Sequence, residues 1–155
     1  MNGTPEHEGM TLVVRSTARL ITGFIAVFGV YVALTGHVSP GGGFAGGVIL
    51  AAAAVLVVLA FGRRAASALV TERTCHTWDA AGAMGFLVVA VLGYFVGGFF
   101  VNFLPVGRLH ELVSGGMIPL ANLAILVKVG AGLAGAFLAL AAWRRLGPAA
   151  GRTEV

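Results

Sequence analysis

The feature that most constrains this chain is a long stretch without any Asp, Glu, Lys or Arg, from Leu20 to Gly62. It is too long for one membrane span, which needs about 20 apolar residues, and the glycine-rich segment from Gly36 to Gly43 interrupts it midway. Two spans joined by a turn fit it. Only 10% of the 155 residues are charged and 58% are hydrophobic, whereas soluble domains carry about 25% charged residues. The sequence therefore predicts a membrane protein.

Four spans are predicted, over residues of about 17–35, 44–62, 80–104 and 117–143. The third begins after Asp79, which is expected to cap the helix at the cytoplasmic surface or to mark a cation entrance, and it ends near Pro105. Helices are favoured over strands because no segment alternates apolar with polar residues. The predicted fold is an all-α integral membrane protein, a bundle of four transmembrane helices that forms a single membrane domain over residues 1–155, with a flexible tail from 144 to 155.

The basic residues predict the orientation, because cytoplasmic loops retain Lys and Arg during insertion. One side of the membrane has only Arg108. The other side has eight arginines, at the N-terminus, between spans 2 and 3 and after span 4: Arg15, Arg19, Arg63, Arg64, Arg73, Arg144, Arg145 and Arg152. Both termini are therefore expected in the cytoplasm, and the protein is expected in the plasma membrane of a bacterium, as a multi-pass protein.

Several classes of function are disfavoured by composition. The basic residues are scattered and form no continuous patch, so nucleic acid is not expected as a partner. The single cysteine, Cys75, cannot form an internal disulfide, and no Cys/His cluster has metal-site spacing. The sequence predicts no enzyme, with no catalytic residue, no metal and no cofactor.

Lys128 is the residue that most needs explanation. At 1.5 Å per residue it lies about 16 Å from Met117 and about 22 Å from Trp143, near the middle of span 4. A cation at that depth costs roughly 2.5–3.5 kcal/mol on insertion scales. Its helix face carries small residues, such as Ala124 and Gly132, and this pattern predicts that another helix backbone approaches closely.

The partner of Lys128 is expected on another protein, because none of the four predicted spans contains Asp or Glu. We expect an acid or a polar water chain from a neighbouring subunit to hold the ammonium group. Three interpretations stay open: a role in ion or proton conduction, a purely structural pair, and a side chain that reaches water by helix distortion.

The turn between spans 1 and 2 is the second candidate site. Its glycine turn consists of Pro40, Gly41, Gly42, Gly43, Phe44, Gly46 and Gly47. A formal Gly-x-Gly-x-x-Gly match here lacks the preceding strand and following acid that a nucleotide site needs. The segment can be a nest for anions or a tight re-entrant turn buried by neighbours. His37 can be a pH-sensitive group or a hydrogen bond that staples the turn.

The segment Gly36-His37-Val38-Ser39-Pro40-Gly41-Gly42-Gly43-Phe44-Ala45-Gly46-Gly47 resembles the signature of the B subunit of the multisubunit Mrp (Mnh) sodium/proton antiporters. The segments 114–122 and 126–133 are similar to the last span of that family. The resemblance covers residues of about 12 to 143. It implies a hydrophobic subunit of a seven-subunit complex that exchanges Na⁺ for H⁺, with related modules in membrane-bound hydrogenases.

The predicted function is thus a membrane subunit of a multisubunit Na⁺/H⁺ antiporter, with Lys128, His37 and Asp79 as candidates for the ion or proton path. Its expected partners are the other membrane subunits, the lipid bilayer and the two transported ions. Two alternatives stay open: a purely structural subunit, and an ion-translocating subunit of a hydrogenase-like redox complex. A homo-oligomeric transporter is disfavoured by the absence of carboxylates from the predicted spans.

Overall fold

The computed structural model describes residues 11–62, 71–105, 107 and 114–146. They form four α-helices: α1 (Leu12–Leu34), α2 (Gly43–Phe61), α3 (Glu72–Leu92) and α4 (Ile118–Leu146), with a 3₁₀ turn over Gly93–Phe95. All four are long and apolar enough to cross a membrane. Within the described ranges no strand occurs. The all-α prediction with four spans is confirmed at this level.

Helix order in space differs from helix order in sequence. The helix α1 packs against α2, α2 packs against α4, and α4 packs against α3, with a smaller contact between α1 and α4. Among the described residues, the backbone of α3 approaches α4 but neither α1 nor α2. The arrangement is a row with α3 at one edge, so α4 is the helix that positions α3.

Close glycine contacts hold the row together. Gly29 of α1 and Gly46 of α2 face each other: a Cβ added to Gly29 would lie 2.9 Å from the Gly46 carbonyl oxygen. A Cβ on Gly47 would lie 2.7 Å from Cβ of Val129 on α4. Small residues at such crossings let helix backbones approach where no hydrophobic driving force acts between helices.

These contacts also fix helix direction. Gly43, at the start of α2, contacts Asn122, near the start of α4, and Cys75, early in α3, contacts Gly135, late in α4. The start of α1 therefore lies at the same end as the finish of α4. We call this end the terminal end, and the opposite end, with the glycine turn, the turn end.

Helix α3 begins eight residues before the predicted start of span 3. Its N-cap is Thr71 rather than Asp79, so the predicted capping role of Asp79 is wrong. The prediction failed because the segment from Glu72 to Asp79 is polar, and a span placed by hydropathy starts after it. In the structure several polar side chains of this segment border a groove between α3 and α4, and Asp79 has a partner on α4, as described below.

Helix α3 also ends earlier than predicted, at Leu92 rather than near Pro105. The chain folds back there: the N–H of Phe100 donates to the carbonyl oxygen of Ala90 at 3.0 Å. A Cβ on Gly93 would lie 2.7 Å from the Gly98 carbonyl oxygen, so this reversal requires glycine. Asn102 then holds the start of α4, because its Oδ1 accepts the N–H of Met117 at 3.1 Å.

The other bounds shift by a few residues. Helix α1 starts at Leu12, so Arg15 and Arg19 lie on its first turns, and Arg19 stacks on the Phe61 ring at 5.7 Å. Helix α4 runs to Leu146. Several predictions fall outside the described residues: those on Arg63, Arg64, Arg108, Arg152, the side chains of Arg144 and Arg145, and residues 147–155.

Candidate functional site

The candidate site is built where α3 crosses α4, and Gly82 makes that crossing possible. A Cβ on Gly82 would lie 2.6 Å from the backbone nitrogen of Lys128 and 2.8 Å from the carbonyl oxygen of Ala124. Only glycine allows this approach. The prediction that a helix backbone packs closely on the small-residue face of Lys128 is confirmed, and that helix belongs to the same chain.

Lys128 forms an ion pair with Asp79. The Nζ atom of Lys128 donates to Oδ1 of Asp79 at 2.9 Å. The Lys128 side chain is 50% exposed and that of Asp79 is 36% exposed in the isolated chain. The expectation that Lys128 finds its acid on another protein is thus wrong. It failed because the predicted span 3 starts at Ala80 and so leaves out Asp79, which lies within α3.

The pair lies inside the two helices rather than at their ends. At 1.5 Å per residue, Asp79 is about 10 Å from the start of α3 at Glu72, and Lys128 is about 15 Å from the start of α4 at Ile118. A lone charge at such depth is costly in a bilayer, and an opposite charge within hydrogen-bond distance offsets much of that cost. The geometry therefore explains how a mid-span lysine is accommodated.

A groove of about 280 Å³ leads along α3 and α4 to this pair. Its α4 wall consists of small residues: Ala131, Gly132, Gly135, Ala136 and Ala139. Its α3 wall carries four side chains that can ionise: Glu72, Cys75, His76 and Asp79. We call this groove the α3–α4 groove. Because the α4 side chains are short, they leave open space beside the ionisable side chains of α3.

Three of the four α3 groups share one helix face, because Glu72, His76 and Asp79 are spaced by four and three residues. Glu72 and His76 are exposed in the isolated chain, and Asp79 is partly exposed. Sequence reasoning missed Glu72 and His76 as site residues. The spacing itself is the signal that could have identified them, once the helix is extended back to Thr71.

His37 lies at the turn end, remote from the ion pair. Its Nδ1 donates to the carbonyl oxygen of Leu34 at 3.1 Å, and its ring packs so closely on Gly115 that a Cβ there would lie 2.8 Å from Cγ of His37. This geometry matches the stapling alternative. The structure thus brings together two of the three predicted path candidates, Lys128 and Asp79, and separates the third.

The glycine turn is packed by its neighbours. The N–H of Gly42 donates to the carbonyl oxygen of Val32 at 3.2 Å, and Gly42 has φ of +107°, which favours glycine. Gly43, Gly46 and Gly47 are buried, whereas Pro40, Gly41 and Phe44 are exposed. The contacts correspond to the tight buried turn, and α4 closes it through Asn122 and Ile125, which contact Gly43.

In chemical terms the α3–α4 groove offers proton-transfer groups beside a fixed charge pair. Carboxylate and imidazole groups exchange protons readily, and Lys128 supplies a cation that the Asp79 carboxylate can hold or release. Among the described residues, no group of three or more His, Cys, Asp or Glu side chains could hold a metal ion.

The chain has recognisable relatives. The family described as a domain related to the MnhB subunit of Na⁺/H⁺ antiporters matches residues 13–135. An uncharacterized protein of Methanocaldococcus jannaschii is 33% identical over 130 residues, which is 79% of this chain and 49% of that protein. The B subunit of a Na⁺/H⁺ antiporter of Bacillus subtilis (strain 168) is 33% identical over 88 residues, which is 57% of this chain and 59% of that protein.

A solved structure is also similar. A chain of the membrane-bound sulfane sulfur reductase, an archaeal respiratory membrane complex, superimposes with a TM-score of 0.70 at 34% identity, over 85% of this chain and 58% of that chain. This chain thus spans about half to three-fifths of the length of the relatives that it matches. The resemblance found in the glycine turn and the last span is confirmed, and the chain is a multi-pass membrane protein that belongs to the family of domains related to the MnhB subunit of Na⁺/H⁺ antiporters.

Proposed function

We propose that this chain is a non-enzymatic membrane subunit of a multisubunit Na⁺/H⁺ antiporter in the plasma membrane. Its partners are the other membrane subunits, and the complex carries Na⁺ and H⁺. The family match and the Bacillus subtilis relative support this assignment. The terminal end faces the cytoplasm, because Arg15, Arg19 and Arg73 lie there.

The observation that carries a role in ion movement is the Lys128–Asp79 pair, with 2.9 Å between Nζ and Oδ1. A charged pair within membrane-spanning helices marks ion or proton pathways in transport proteins. Here Asp79 borders the α3–α4 groove, and the Lys128 side chain is exposed in the chain alone. The pair is an element of the path, in which the carboxylate changes protonation or partner as the ion moves.

A redox complex is a second candidate setting. The similar chain comes from an archaeal respiratory membrane complex, at 34% identity and a TM-score of 0.70. In that setting the same pair would belong to the ion-translocating part of a respiratory enzyme. The subunits that co-purify with the native chain separate the two settings, because a respiratory complex brings redox subunits with it.

Antiport by the assembled complex tests the assignment. The variant Lys128→Ala, expressed with the whole complex, is compared with wild type for Na⁺-induced proton movement in inside-out vesicles, with co-purification of the subunits as the measure of assembly. Arg73→Ala is the matched control, because it removes one exposed positive charge from α3 outside the groove. We expect strongly lowered antiport for Lys128→Ala and normal antiport for Arg73→Ala.

Unchanged antiport in an assembled Lys128→Ala complex would remove the proposed role and leave a structural subunit. The purified chain alone provides a further check. Asp79 lies within α3, so the absence of carboxylates no longer argues against transport by the chain itself. We expect liposomes that contain only this chain to show no exchange, and measurable exchange there would contradict the assignment as a subunit.

A further inference from the structure

The α3–α4 groove is open along only part of α3. Glu72, His76 and Asp79 follow one another along the helix face that borders it. One turn further on, the same face carries Ala83 and then Phe86, which cannot ionise. The row of proton-transfer groups thus starts at the terminal end and stops at Asp79.

The lining of the groove ends at the ion pair, where the backbones of the two helices touch. Gly82 follows Asp79 by less than one turn, and it packs directly on the backbone of Lys128 and Ala124. Gly82 is itself buried. Water that reaches Asp79 from the terminal end therefore meets a tight helix crossing, and the groove between α3 and α4 beyond it is lined by residues that cannot ionise, such as Gly85 and Leu120.

We propose that the α3–α4 groove is a one-sided proton entrance from the terminal end, in which His76 passes protons between water and Asp79. The inference rests on the proposed function, because it gives the Lys128–Asp79 pair its supply of protons. An imidazole accepts a proton at one ring nitrogen and releases one from the other, so each transfer leaves His76 neutral in its other tautomer, and a flip of the ring restores it for the next proton.

The surroundings of His76 suit this role. The other groups of α3 that can ionise and line the groove are Glu72, Cys75 and Asp79, and the facing wall of α4 is composed of alanine and glycine. Lys128 is the charged group of α4 at the inner end, where it holds Asp79. His76 is therefore the group between the entrance at Glu72 and the pair, with space for water beside it.

The relay is tested by replacement and chemical rescue. In the assembled complex, His76→Ala is expected to lower antiport by about a hundredfold, the lower end of what a positioned proton-transfer group contributes. Added imidazole, which fits in a groove of about 280 Å³, is expected to restore much of it. His76→Gln serves as a second variant that keeps a polar side chain but cannot carry the proton.

Imidazole is not expected to rescue Lys128→Ala, because that variant retains His76. Antiport by His76→Gln at the wild-type level, or an assembled His76→Ala complex that imidazole does not restore, would overturn the relay. If the proposed function itself is wrong, the Lys128→Ala complex instead shows normal antiport. The two kinds of failure can therefore be distinguished.

One-sided access is tested without any transport assay. In a Cys75→Ala background, His76→Cys is exposed to a membrane-impermeant charged methanethiosulfonate reagent, from one side of the membrane at a time. Labelling is expected only from the side that holds the terminal end. The matched control Ala83→Cys lies on the same face beyond Asp79 and is expected to stay unlabelled. Labelling of His76→Cys from the opposite side, or from neither side, would overturn the one-sided entrance.

Discussion

Lys128 of α4 and Asp79 of α3 are 49 residues apart in sequence, and their side chains meet at 2.9 Å. The contact joins α3 to the one helix that its backbone approaches within the described part of the chain. It depends on the close crossing at Gly82, whose backbone contacts that of Lys128 itself. The close approach at Gly82 therefore sets the position of the charged pair.

The first prediction concerns Gly82. A methyl group there would lie 2.6 Å from the Lys128 nitrogen, so Gly82→Ala must push α3 away from α4. Overpacking of this kind costs about 1–3 kcal/mol. We expect a lower midpoint of thermal unfolding for the purified chain in detergent and weaker antiport in the complex.

Gly85→Ala is the matched control for Gly82, because its Cβ would meet only Cβ of Ala124, at an ordinary 3.7 Å. It is expected to unfold at the wild-type temperature. Equal unfolding temperatures for the two variants would contradict the crossing that positions the ion pair.

The second prediction concerns the crossing of α1 and α2. Gly29→Ala places a methyl group 2.9 Å from the Gly46 carbonyl oxygen, whereas Gly23 on the same helix has nothing within 4 Å. We expect Gly29→Ala to lower the unfolding temperature and Gly23→Ala to leave it unchanged or slightly raised, since alanine favours helices over glycine. A loss of stability in Gly23→Ala alone would contradict the described packing.

The third prediction concerns Asn102. Its Oδ1 accepts the N–H groups of Met117 at 3.1 Å and Leu104 at 3.2 Å, and its Nδ2 donates to the Leu104 carbonyl oxygen at 3.0 Å. Asn102→Ala leaves the Met117 N–H without this acceptor, at a cost of about 1–3 kcal/mol. Asn102→Asp keeps the acceptor and should lose less. Thermal unfolding of the two variants should rank them in that order, and the reverse order would contradict this role.

The number and type of the helices could be predicted from the sequence, because uncharged stretches of about 20 residues have few other solutions in a chain this apolar. The start of α3 could not. Glu72 and Asp79 make its first turns polar, and hydropathy assigns such residues to a loop. The predicted start at Ala80 therefore leaves Asp79, the partner of Lys128, outside span 3.

The sequence therefore predicts the lysine of the candidate site but not its partner. The depth of Lys128 and the small residues around it are features of one helix, and they could be predicted from spacing alone. Its pairing with Asp79 depends on which helices are neighbours in space, and spacing within one helix carries no such information. The groove that His76 lines can be recognised only when α3 and α4 are known to lie side by side.

The fourth prediction concerns orientation. In a Cys75→Ala background, Thr11→Cys at the terminal end and Ser39→Cys at the turn end are both exposed positions. An impermeant thiol reagent applied to intact cells is expected to label Ser39→Cys and not Thr11→Cys, because the terminal end carries the arginines. The opposite pattern would reverse the orientation and place the proton entrance outside the cell.

The double variant Asp79→Ala, Lys128→Ala tests most directly whether the pair works in ion movement or only joins two helices. Removing both charges avoids an unpaired charge in the membrane, so a purely structural pair can be replaced with little loss of stability. We predict that the double variant assembles like wild type, as measured by co-purification, but shows the same low antiport in vesicles as Lys128→Ala. Antiport restored to the wild-type level in the double variant would contradict a role of this pair in the path.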